Sequence, residues 1–171
     1  VENTHEAIIP KEVFEQVHKQ TGLQIMEGFG QTESVLMLGN LVGSTAKIGS
    51  LGKPTPLYNI MIADNEGNRL PANEVGEIVV IPSENQHGIF MGYCGNEDLY
   101  ANVWKYGIYH TGDTAYMDDD GYYWYVGRID DLIKTRGYRV GPFEIENVLM
   151  EHPAVMECAV TGIPDKARGQ A

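Results

Sequence analysis

Apolar residues first recur at helical spacing where Val13, Phe14 and Val17 fall on one face. Pro10 suits the entry of such a helix and Gly22 its left-handed C-cap, so the spacing predicts a helix over residues 10–20. A short apolar run over residues 23–26 reads as a buried strand. It leads into Glu27-Gly28-Phe29-Gly30-Gln31-Thr32-Glu33, which is too polar and glycine-rich to continue it. Between residues 48 and 82 the β-prone runs 58–62 and 76–81 alternate with turns such as Asp64-Asn65-Glu66-Gly67, which predicts a small sheet or barrel. Residues 109–116 and 122–126 flank Asp118-Asp119-Asp120-Gly121, a hairpin signal because Asp-Gly tolerates the positive φ angles of tight turns. A shorter hairpin is expected where 132–134 and 138–140 flank Thr135-Arg136-Gly137. Pro142 opens a helix in the one turn where its missing N–H is harmless. Ile145, Val148 and Leu149 form the stripe of that helix, which ends before Pro153. Residues 155–161 read as a strand, and the domain seam is expected near Asp130-Asp131, between two hairpins. There is no internal repeat and no low-complexity linker.

Composition narrows the class. With 171 residues, 43% hydrophobic and 21% charged, the chain can bury one or two modest cores. A formal net charge of -12 argues against a nucleic-acid partner, whose affinity would come from Lys and Arg neutralising phosphates. Cys94 and Cys158 lie far apart with neither CxxC nor Cys/His spacing, so no disulfide framework or zinc site is expected and a reducing, cytoplasmic setting fits. No stretch approaches the roughly 20 apolar residues of a membrane span. The chain opens on Val1 and stops at Ala171 without a cap, so both ends are expected to be cut from something longer.

Glycines beside Gln31-Thr32-Glu33 let backbone approach a ligand closely, and a hydroxyl next to a carboxylate suits a phosphate and its Mg²⁺. Taken alone, the same residues read rather as a polar turn after a buried strand. Three further blocks follow in order: Tyr109-His110-Thr111-Gly112-Asp113, then Gly127-Arg128-Ile129-Asp130-Asp131, then Gly137-Tyr138-Arg139-Val140-Gly141-Pro142 running on to Glu146. Together with Phe29-Gly30-Gln31-Thr32-Glu33 and Gly76-Glu77-Ile78-Val79-Val80, these blocks resemble the adenylate-forming superfamily of acyl-CoA synthetases, luciferases and peptide-synthetase adenylation domains. The Gly137 to Pro142 run and Glu151-His152-Pro153-Ala154-Val155 look most like its acetyl- and medium-chain acyl-CoA synthetase branch.

The resemblance implies an α+β fold. Residues 1–129 would be the end of a large N-terminal domain with a small β-barrel subdomain. Residues 130–171 would be the hinge and the first hairpin, helix and strand of a small α/β C-terminal domain. It implies a ligase that converts a carboxylic acid and Mg·ATP to an acyl-adenylate and pyrophosphate. The small domain then rotates so that the coenzyme A thiol attacks the adenylate and AMP is released. By the same resemblance Thr32 contacts the AMP phosphate, Glu33 ligates Mg²⁺, and Asp113 accepts hydrogen bonds from the ribose with Arg128 beside it. Gly28, Phe29, Gly30 and Gln31 lie along the adenine, and Glu6 and Ala7 line the nucleotide, with His5 in place of that loop's usual glycine. Asp130 falls at the hinge, Gly137 borders the pantetheine channel, and Arg139 reaches the phosphate in one of two domain states. Gly30 stands where acetyl-specific relatives carry a tryptophan, which implies acids from about four carbons upward or small aromatic acids. The family's Ser/Thr/Gly-rich phosphate loop and its late catalytic lysine do not occur in the chain, so the fragment is expected to be inactive alone. The alternatives are a peptide-synthetase adenylation domain and a non-catalytic nucleotide-binding module. A calcium loop around Gly121 is rejected, because Tyr116 and Gly127 would occupy its first and twelfth positions and neither offers a carboxylate.

Overall fold

The computed structural model describes residues 11–84, 87–136, 138–167 and 169–170. Helix α1 (Lys11–Thr21) ends as its sequence predicts. Gly22 adopts φ 69° and its N–H bonds to the His18 carbonyl at 2.8 Å. Pro10, the expected entry residue, lies outside the described residues.

A first sheet has the order β1-β2-β3, with β1 (Gly28–Phe29), β2 (Leu38–Gly39) and β3 (Lys53–Pro54) all antiparallel. The strand expected over 23–26 does not form. Leu23 is 67% exposed and no described strand runs alongside, so the apolar run has no ladder to join.

The main sheet is an antiparallel meander of β4 (Asn59–Ala63), β5 (Gly76–Ile81), β6 (Tyr109–Met117) and β7 (Tyr123–Arg128). Helix α2 (Glu97–Val103) interrupts the β5–β6 connection; the Asn96 side chain caps it by accepting from the Leu99 N–H at 3.0 Å. The β6–β7 hairpin turns at Asp118-Gly121 as expected. Asp118 Oδ1 accepts from the N–H groups of Asp120 and Tyr122 at 3.0 and 2.9 Å. Lys47 fills the space between the turn's carboxylates, 2.7 Å from Asp118 and 2.6 Å from Asp120. Burial acts to raise the Asp118 carboxyl, but the Lys47 ammonium and the Tyr122 and Trp124 N–H donors outweigh it and hold the group below the usual carboxylate range.

The barrel expectation is corrected, because this sheet is open. Edge strands β4 and β7 do not pair with each other. The outer edge of β7 is instead taken by the first sheet's neighbourhood: Leu51 N–H bonds to Tyr123 O at 2.8 Å and Tyr123 N–H to Gly52 O at 3.0 Å. An edge already hydrogen-bonded cannot close on β4.

Both faces of the meander are covered. Ile60, Ile62, Ile78, Val80, Tyr109 and Tyr123 pack with Met37 and Leu38 of the β2 segment on one side. Met61, Val79 and Ile108 pack on the other. Burial of this kind stabilises by about 25 cal/mol per Å² of apolar surface and makes the meander the rigid frame for β6 and β7.

A third sheet has the order β10-β11-β8-β9, from β8 (Ile133–Thr135), β9 (Tyr138–Val140), β10 (Pro164–Asp165) and β11 (Gly169–Gln170). Helix α3 (Pro142–Met150) follows β9 with Pro at its first position. The strand expected over 155–161 is absent. The Val160 N–H that a ladder would use is bonded to the Glu146 side chain at 2.7 Å.

Candidate functional site

In the β6–β7 pair Asp113 stands directly opposite Arg128, and a bulge between Thr114 and Ala115 re-aims the strand beside them. Asp113 is 5% exposed. Its Oδ2 accepts from Gln31 Nε2 at 2.5 Å and its Oδ1 from the Tyr125 hydroxyl at 3.0 Å. The Arg128 Nη1 lies 3.6 Å from Oδ2. Burial pushes the Asp113 carboxyl above its ordinary range, and the Tyr125 and Gln31 hydrogen bonds and the Arg128 charge only partly offset it. Hydroxyl donors reaching this group would therefore favour its charged form, a property suited to binding vicinal hydroxyls.

Gln31 comes from the loop after β1. Its amide also donates to Thr111 O at 2.9 Å, while its Oε1 accepts from the Tyr109 hydroxyl at 2.9 Å. Arg128 donates through Nη1 to Thr111 O at 3.1 Å and through Nε to Asp130 Oδ1 at 3.2 Å. Partial burial opposes its charge, but Asp130 and Asp113 outweigh this and raise it. The guanidinium lies against Gly112, whose φ is 74° and where a Cβ would fall 2.8 Å from Nη2. A side chain there would be strained by the backbone angle and would push the guanidinium aside. Behind it, Glu77 accepts from the Gly112 N–H at 2.8 Å and pairs with His110 Nδ1 at 2.7 Å.

Glu33 completes the wall. Its Oε1 accepts from the Tyr93 hydroxyl at 2.8 Å. Gln31, Glu33, Tyr93, His110, Arg128 and Asp130 all border one cleft of about 430 Å³, with the C-terminal end of α2 on its far side.

The sequence-expected residues therefore divide. Gln31, Glu33, Arg128 and Asp130 line this cleft, and Asp113 lies buried behind it, bonded to Gln31 and beside Arg128. Thr32 is exposed in the turn between Gln31 and Glu33, and Gly28 and Phe29 form β1 against β2. A Cβ on Gly30 would meet the Val35 carbonyl at 2.9 Å, so a larger residue there requires the 30–35 turn to shift. Arg139 lies in β9, opposite Lys134 in the third sheet. Glu6, Ala7 and Gly137 lie outside the described residues. Tyr93, Tyr109, Tyr125, Glu77 and His110 are site residues that sequence reasoning did not single out. Tyr109, His110 and Glu77 fall inside the quoted blocks, where no role was given to them, while Tyr93 and Tyr125 lie outside every block; Tyr125 pairs with Ala115 and reaches Asp113 only through its side chain.

Among the described residues no group of three or more His, Cys, Asp or Glu side chains is arranged to hold a metal ion. Glu33 and Thr32 nevertheless offer oxygen donors, which fit Mg²⁺ because that ion is commonly held by one or two carboxylates plus substrate phosphates. No described helix is long and apolar enough to cross a membrane.

The family model described as AMP-binding enzyme matches residues 4–94, and the AMP-binding enzyme C-terminal domain model matches residues 144–171. The mitochondrial acyl-coenzyme A synthetase ACSM3 of Rattus norvegicus is 47% identical over 163 residues, covering 95% of this chain and 28% of that protein. The mitochondrial acyl-coenzyme A synthetase ACSM5 of Rattus norvegicus is 49% identical over 152 residues, covering 88% and 26%. The anthranilate CoA ligase AuaEII in complex with anthranoyl-AMP superposes with a TM-score of 0.74 at 37% identity, over 94% of this chain and 30% of that one. ATP-bound MatB from Rhodopseudomonas palustris gives 0.77 at 29% identity, over 93% and 31%. The chain thus spans under a third of the length of these relatives.

Proposed function

The chain belongs to the AMP-binding enzyme family, and from that premise we propose that it is part of an ATP-dependent acyl-CoA synthetase for short- to medium-chain carboxylic acids. The observation that carries this reading is the buried Asp113 carboxylate, held by Gln31 and Tyr125 beside Arg128, with Gln31 and Arg128 lining the cleft. In it, Asp113 receives the ribose hydroxyls of ATP, with Arg128 beside it. Thr32 meets the α-phosphate, and the backbone of Gly28 to Gly30 lies along the adenine. Glu33 ligates Mg²⁺, which when bound neutralises phosphate charge. Glu6 and Ala7 line the nucleotide, Gly137 borders the pantetheine channel, and Arg139 reaches the phosphate in one of two domain states. The names of the relatives support acyl transfer to coenzyme A over a peptide-synthetase role. Those names also place the relatives in mitochondria, a compartment different from the cytoplasmic one expected from composition.

The reading is tested by acid- and CoA-dependent release of AMP from ATP with the full-length protein, comparing acetate, butyrate, hexanoate and benzoate. Each added buried methylene contributes about 0.8 kcal/mol, so kcat/KM should rise about fourfold per methylene from acetate until the pocket is full. Acetate as the best acid would overturn the chain-length reading; no AMP with any acid would overturn the synthetase reading. Gly30→Trp is a poor substitute for this series, because the Val35 carbonyl blocks its Cβ.

The proposed domain division places residues 1–129 in the large domain and residues 130–171 in the hinge and small domain, with Asp130 as the turning point. Asp130 meets Arg128 at 3.2 Å, so the hinge and the ribose wall share one ion pair. Proline at 130 fixes φ near −65° and removes that pair. Asp130→Pro should therefore impair adenylate formation and thioester formation unequally, as read by pyrophosphate exchange and by thioester release. Equal loss in both half-reactions would instead mark Asp130 as a substrate contact.

A further inference from the structure

The loop that carries Gln31, Thr32 and Glu33 is tied to the segment around residues 88–93. Ser34 and Ile89 form an antiparallel bridge, and the Phe90 N–H bonds to Glu33 O at 2.8 Å. Val35 N–H bonds to Gly88 O at 3.1 Å. These backbone bonds bring Tyr93 alongside Glu33. Its ring is fixed by packing: it lies 4.7 Å from that of Phe90, which itself packs on Tyr100 and Tyr109 at 5.3 and 6.1 Å. The phenol then donates to Glu33 Oε1 at 2.8 Å.

A glutamate's terminal torsion is broad, and an unheld carboxylate sweeps its oxygens over a wide arc. A rigid donor on one oxygen defines the direction of the other. We propose that Tyr93 is a positioning residue that orients the Glu33 carboxylate toward the nucleotide's divalent cation, and so sets the metal affinity of the nucleotide complex. The proposal rests on Glu33 being the metal ligand. A hydrogen bond to Oε1 also draws charge from the carboxylate and weakens it as a ligand. Orientation is the larger effect, since partners that orient metal ligands are typically worth 10- to 100-fold in metal affinity.

The test is Tyr93→Phe in the full-length protein, which keeps the ring packing and removes only the hydroxyl. Mn²⁺ serves as the probe, its binding read by electron paramagnetic resonance with a non-hydrolysable ATP analogue present. The expected result is about a 10-fold weaker Mn²⁺ affinity, with analogue binding in EDTA and the melting temperature unchanged. Glu33→Gln is measured beside it. If Glu33→Gln weakens Mn²⁺ binding but Tyr93→Phe does not, the positioning role is wrong and the reading of Glu33 stands. If Glu33→Gln leaves Mn²⁺ affinity unchanged, Glu33 is not the ligand and both ideas fall. A Tyr93→Phe protein that loses metal-free analogue binding to the same degree would show a structural role and overturn the proposal.

Discussion

Replacing Asp113 with alanine in the full-length protein is expected to weaken ATP binding by about 2–4 kcal/mol, roughly 30- to 1000-fold, with a much smaller effect on binding of the acid. The loss has two parts. The ribose loses a charged acceptor for two hydroxyls, and Gln31, Tyr125 and Arg128 lose the group on which they converge. The second part matters because Gln31 and Arg128 also share Thr111 O, so freeing them from Asp113 loosens the wall of the cleft. Calorimetry with ATP reads the effect, and an unchanged affinity would remove Asp113 from the ribose role. Burial pushes the Asp113 carboxyl above its ordinary range, and the Tyr125 and Gln31 hydrogen bonds and the Arg128 charge offset part of that desolvation.

The largest expected effect on stability belongs to Gly52, which no functional motif contains. Its φ is +85°, and a Cβ there would lie 2.1 Å from the Gly39 carbonyl carbon and 2.4 Å from the Asn40 nitrogen. Those are backbone atoms of the β2 segment, which cannot swing aside as a side-chain tip could. Gly52 also accepts from the Tyr123 N–H at the edge of β7. Moving it would pull the first sheet away from the strand that carries Tyr125 and Arg128. Gly52→Ala is expected to lose about 4 kcal/mol or more, lowering the melting temperature by roughly 10 °C. Gly121→Ala is the control: its φ is +82°, but nothing lies within 4 Å of the added carbon. That change costs only the backbone strain of a left-handed residue, about 1 kcal/mol. Equal losses from the two substitutions would show that strain, not steric overlap, governs Gly52.

Local chemistry accounts for the parts of the fold that were legible in the chain. Strand β5 falls on the expected 76–81, because β-prone residues there are bounded by turn formers. The β6–β7 hairpin follows from Asp118-Gly121, whose side chain and glycine build the turn from within. Helix α3 follows from Pro142 and its apolar stripe. The motif residues Gln31, Asp113 and Arg128 were also named from sequence, through the family whose ordered blocks they belong to.

Strand β5, the two hairpins and helices α1 and α3 were thus readable from causes a few residues apart, as was the identity of the motif side chains; helix α2, although its Asn96 cap is equally local, was not read. Tertiary structure decided the features that depend on partners far along the chain. The runs at 23–26 and 155–161 have strand-like composition, yet the first has no neighbouring strand among the described residues and the second has its Val160 N–H taken by Glu146. The sheet stays open because Leu51 and Gly52 occupy the edge of β7 that a barrel would need. Asp113 meets a glutamine 82 residues away, and Glu33 meets a tyrosine 60 residues away. A hydrogen bond between side chains leaves no periodicity or turn signature in the sequence, so Tyr93 as the partner of Glu33 became visible only once packing had brought the two together.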